Sequence, residues 1–115
     1  MKVELIVPPY YEEEFETMVL FPIIERYGGV SVADVKGYWK GNGDFATYSP
    51  LVVADNNQLV FVYVDEETHD AEETNVWFTS LAARVAEHWD QECVLLAYDG
   101  VHKLITPDGG YYVVG

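Results

Sequence analysis

The chain has 115 residues, half of them apolar and 15% aromatic, with 20 acidic side chains against 6 basic ones and a net charge of −14. This length fits one domain spanning residues 1–115, and the apolar half excludes a disordered acidic tail, which lacks core-forming residues. The charge argues against direct nucleic-acid binding because phosphates are repelled, and the single Cys93 excludes an internal disulfide or a Cys-cluster metal site.

Lys2 to Val7 reads as a first strand, stopped by Pro8-Pro9, which can neither donate to a ladder nor follow a helical residue. From Glu12 to Arg26 the apolar Phe15, Met18, Val19 and Ile23 recur at helical spacing. Three glutamates at its start suit the positive end of the helix dipole. Pro22 removes a backbone donor, so this helix is expected to kink or divide there, and Gly28-Gly29 to end it.

Val30 to Lys40 is rich in strand formers and runs into Gly41-Asn42-Gly43-Asp44, where Asn-Gly predicts a hairpin returning through Tyr48. Asp55-Asn56-Asn57 predicts a second turn, separating Leu51-Val52-Val53 from Leu59 to Val64. The latter run is almost wholly apolar and predicts a central strand buried on both faces. Asp70 with Glu73 three residues on resembles a capping box opening a helix to about Trp89. On that helix Phe78, Leu81, Ala82, Val85 and Trp89 form one stripe. Glu92 to Tyr98 and Val101 to Ile105 follow as strands joined at Asp99-Gly100. The order predicts an α+β fold, a ferredoxin-like two-layer sandwich whose mostly antiparallel sheet carries two helices on one face.

Three pieces of the chain carry a resemblance. They are Tyr27-Gly28-Gly29-Val30-Ser31, then Gly37-Tyr38-Trp39 before a Gly-rich turn, and Gln91-Glu92-Cys93-Val94-Leu95 after the late helix. The chain here resembles a group of small bacterial and phage proteins with ferredoxin-like domains, often paired through the sheet. The resemblance implies the fold and brings no activity to carry over.

Motifs for chemistry are sparse. Gly41-Asn42-Gly43-Asp44-Phe45-Ala46 has the spacing of a dinucleotide fingerprint, but Thr47 to Pro50 follow where a helix must start, so a hairpin is the reading. His69, His88 and His102 show no metal-ligand spacing, and no metal or cofactor is expected. There is no G-x-S-x-G elbow, and Cys93 lies in an apolar stretch where a thiol is inert, so no catalytic residue is assigned.

The acids are unevenly placed, with six of them in residues 65–73 and no Lys or Arg among them. Asp65, Glu66, Glu67, Asp70, Glu72 and Glu73 then suggest a surface that docks on a basic protein, where complementary potentials steer association. A second cluster has a different character. On a regular strand Lys36, Tyr38 and Lys40 share one side, and Tyr48 lies across the hairpin. That face suits an anionic, ring-bearing ligand held by stacking and charge.

The leading expectation is therefore a non-enzymatic acidic protein, a homodimer or higher oligomer in the cytoplasm (the host's, if phage-encoded). It would occupy a basic surface as a phage-type inhibitor of a host defence or nucleic-acid enzyme. The alternative is a module that binds a nucleotide-like small molecule through Lys36, Tyr38, Lys40 and Tyr48 and sequesters a signal. An enzyme ranks third.

Overall fold

The computed structural model describes residues 1–8, 12–40 and 52–114, without the side chains of residues 37–40, 52–56 and 114. Strand β1 (Lys2–Val7) buries Val3, Leu5 and Val7 and leaves Lys2, Glu4 and Ile6 half-buried on the other side, the period-two pattern of a strand with one packed face. The helical segments α1 (Glu12–Phe15), a π-helical stretch (Glu16–Leu20) and α2 (Phe21–Tyr27) follow without a break. The expected division at Pro22 takes this form. The Phe21 amide donates to the Glu16 carbonyl, five residues back, and Pro22 opens α2 in its first turn. A widened turn ahead of a proline relieves the clash between its ring and the preceding carbonyls. Gly28, with φ 89°, ends α2 in the left-handed region, and its amide closes on the Ile24 carbonyl.

β2 (Ser31–Lys40) and β3 (Val52–Tyr63) form one long antiparallel ribbon. Its register is unbroken from Ser31↔Phe61 to Lys40↔Val52. The turn expected at Asp55-Asn56-Asn57 is therefore absent. These residues pair with Gly37, Lys36 and Val35 in mid-strand, because a ladder on both sides of the site outweighs the weak local preference of Asp and Asn for turns. The Asn42-Gly43 hairpin expected upstream lies outside the described residues.

α3 (Ala71–His88) is capped by Asp70, whose carboxylate accepts from the Glu73 amide at 3.0 Å, as the sequence pattern requires. Phe78, Leu81, Ala82 and Val85 bury the stripe that faces the sheet. β4 (Val94–Tyr98), β5 (Val101–Ile105) and β6 (Tyr111–Val114) complete the sheet in the order β2-β3-β1-β4-β5-β6, every neighbouring pair antiparallel. The first four are in the ferredoxin-like arrangement, and β5 and β6 extend it as a meander.

The core lies between sheet and helices. Val3, Leu5, Val60, Val62 and Leu96 meet Val19, Ile23, Phe78, Leu81 and Val85 there. Burial of β3 on both faces does not hold. Val60 and Val62 are buried, but Leu59 and Phe61 on the opposite side are half-buried and Tyr63 is 71% exposed, since both helical layers lie on one face. No helix among the described residues is long and apolar enough to cross a membrane.

Candidate functional site

The sheet face away from the helices carries alternating residues of the central strands. Register places Glu4 beside Phe61 on one side and Ala97 on the other, with His102 next to Ala97. One step along, Ile6 adjoins Leu59, and Val35 adjoins Asn57. These rows line a cavity of about 230 Å³, walled by Ile6, Val35, Leu59, Leu95 and Ala97 and edged by Glu4, Lys36, Asn57 and His102. A shallower recess of about 460 Å³ adjoins it, sharing Val35, Lys36 and Asn57 and adding Asp34 and Gln58. Small-molecule sites share this make-up, mostly apolar with a few placed polar groups.

Each polar group has a defined setting. Lys2 Nζ stands 3.8 Å from Glu4 Oε1 and 5.6 Å from the centroid of the Phe61 ring, so Glu4 has a cation beside it that also lies over the face of an aromatic ring. The Gly100 carbonyl lies 3.0 Å from His102 Nδ1. A carbonyl only accepts, so Nδ1 carries the proton and, in the neutral ring, Nε2 is left as an acceptor. Asn57 is 7% exposed and makes no side-chain hydrogen bond among the described residues. The amide keeps contact with the solvent of the cavity and is open to a ligand.

Beyond this face, a groove of about 480 Å³ runs between α3 and the β5–β6 turn, lined by Thr79, Ser80, Lys103, Asp108 and Tyr111 among others. Lys103 Nζ sits 4.5 Å from the Tyr111 ring centroid, a cation–π contact. The Thr106 hydroxyl and the Gly110 amide both donate to Asp108 and hold its carboxyl below the usual range. Burial, and then the charge of Glu92, push the Cys93 thiol up, so it stays protonated at neutral pH and is a poor nucleophile.

The structure gives the acid cluster local roles. Asp65 closes the turn before α3, accepting from the Glu67 amide at 2.9 Å, while its carbonyl takes the Thr68 and His69 amides. Asp70 caps α3, and Glu72 and Glu73 fall in its first turn, where negative charge is favoured. Glu66 and Glu67 are exposed. Of the four residues expected to hold a ligand, Lys36 lines the open-face cavity. The register confirms an unbroken strand through residues 36–40, but Tyr48 and the side chains of Tyr38 and Lys40 lie outside the described residues. The sequence reading missed Asn57, which it placed in a turn. The available signal was parity, because Asn57 falls on the same alternation as Leu59 and Phe61.

Fold and site together define an α+β sandwich with a small apolar cavity on its open sheet face. No family model matches the chain, and no curated protein sequence matches it. Among solved structures the fold is similar to a phage SAM lyase in its apo state, with a TM-score of 0.62 at 14% identity over 98% of this chain and 86% of that one. It is likewise similar to a phage SAM lyase in complex with S-methyl-5'-thioadenosine, with a TM-score of 0.61 at 18% identity over 98% and 87%. The phage resemblance read from the sequence thus holds at the level of the fold. The expectation of a non-enzymatic protein whose acidic face occupies a basic surface is corrected by these matches. The chains that share the fold over nearly its whole length carry the name of an enzyme of a small nucleoside-bearing molecule.

Proposed function

We propose that this protein binds S-adenosylmethionine in the open-face cavity and cleaves it to S-methyl-5'-thioadenosine. The observation that carries this reading is the likeness along 98% of the chain to a phage SAM lyase in complex with that product. It keeps the small-molecule alternative drawn from the sequence and changes the ligand from an anion to a cation.

Charge favours the change. S-adenosylmethionine carries a sulfonium, an ammonium and one carboxylate, so it is a net cation, and a protein of charge −14 attracts it. A nucleoside phosphate would be repelled by the same field. The apolar walls suit the chemistry as well. When the bond from sulfur to the γ-carbon of the amino-acid chain breaks, both electrons stay on sulfur and the sulfonium becomes a neutral thioether. The substrate's own carboxylate oxygen can bond to that carbon and close a lactone, with no proton or further reactant needed. Two opposite charges vanish along this path, and a pocket poor in water disfavours the charged starting state more than the less charged transition state. Ile6, Val35, Leu59, Leu95 and Ala97 supply such a wall.

The test is product analysis. Purified protein incubated with S-adenosylmethionine should release S-methyl-5'-thioadenosine, identified by chromatography and mass, well above the slow uncatalysed rate. Release no faster than in buffer, from protein shown by circular dichroism to be folded, would overturn the proposal.

A further inference from the structure

Asn57 lies in an interior strand, is 7% exposed, makes no side-chain hydrogen bond among the described residues and lines the open-face cavity. An amide side chain both donates and accepts, so a ligand that pairs with it fully must bring one acceptor and one donor side by side. An anion cannot supply this pair, since it would satisfy the NH₂ group and repel the carbonyl oxygen. The requirement is a planar edge with a donor beside an acceptor, flat enough to lie between the apolar walls of Val35, Leu59 and Leu95.

Adenine has such an edge, its exocyclic N6–H beside a ring nitrogen that accepts. We infer that Asn57 is the specificity residue of the site, its carbonyl oxygen accepting from adenine N6–H and its NH₂ donating to the adjacent ring nitrogen. This is the bidentate pairing that amide side chains make with adenine elsewhere. The inference rests on the reading of the ligand as an adenosyl compound and adds which residue recognises the base.

Calorimetric titration with S-methyl-5'-thioadenosine and its N6,N6-dimethyl derivative tests this, on the wild type and on Asn57→Ala. The derivative has no N6–H to give. The wild type should bind the parent compound at least about tenfold more tightly than the derivative, as expected for a lost hydrogen bond in a desolvated site. In Asn57→Ala, affinity for the parent should fall by a similar factor and the preference should shrink toward none. A second readout separates a ligand role from a structural one. Because Asn57 makes no side-chain hydrogen bond among the described residues, Asn57→Leu should lose the thioadenosine without lowering the melting temperature. A preference for the parent that survives in Asn57→Ala overturns the role of Asn57 alone. A wild type that binds neither compound overturns the adenosyl reading and this inference together.

Discussion

Tyr98 shows how one side chain ties the sheet to α3. Its hydroxyl is shared between the carbonyls of Thr74 and Asn75, each at 3.0 Å, near the start of the helix. Burial, and then the charge of Tyr27, push the phenol well above its ordinary value of 10. Tyr98→Phe keeps the ring against Phe78 and removes only the hydrogen bonds, so it should cost about 1–2 kcal/mol. For a domain of this size that is a fall of roughly 5–10 °C in melting temperature, read by circular dichroism. The pH dependence has a definite sign. The folded-state value is raised, so the contribution of Tyr98 is complete below pH 10, the unfolded value, and is lost as the pH climbs from there toward the folded one. Wild type should therefore lose stability more steeply than Tyr98→Phe above pH 10. Equal alkaline slopes in the two proteins would mean that the phenol is not held neutral by the fold.

At the scale of elements, the helices were the readable part. Asp70, Glu73 and the stripe from Phe78 to Val85 lie close together in the chain, and the structure uses them as local capping and periodicity require. Asp70→Ala should accordingly cost about 1 kcal/mol by freeing the Glu73 amide, and Asp70→Ser should recover most of it. Chemical denaturation checks this, and equal midpoints for Asp70→Ala and the wild type would deny the cap its role. Strands were harder to read where the deciding contacts are distant. Asp55, Asn56 and Asn57 look like a turn to any local rule. Only pairing with Gly37, Lys36 and Val35, some twenty residues away in sequence, carries β3 through them. The same long-range effect hid the candidate site, since Asn57 becomes a buried wall residue only once β2 lies beside it. β6 escaped the reading because its four residues follow a turn that Asp108 braces, with the Thr106 hydroxyl and the Gly110 amide both donating to its carboxylate.

For the whole molecule, the large apolar share and the excess of acids have physical roles that fit together. The apolar half of the chain exceeds what a single packed face consumes, and Ile6, Leu59, Phe61 and Leu95 emerge half-buried on the open side of the sheet. The acids give the molecule its charge of −14 while several of them close turns and cap helices, so the field they create is a by-product that favours a cationic ligand. Neither feature needs a basic protein partner. Both fit the proposed reading, in which a small, positively charged nucleoside derivative sits on the sheet.

The most direct measurement of that claim is a ¹H–¹⁵N correlation spectrum of labelled protein recorded as S-methyl-5'-thioadenosine is added. The account predicts saturable shifts confined to the amides of residues 4–6, 35–36, 57–59, 95–97 and 102, with residues 75–83 and 107–111 unmoved, because the former surround the open-face cavity and the latter the groove beside α3. Shifts centred on that groove, or a spectrum unchanged at millimolar ligand, would contradict it.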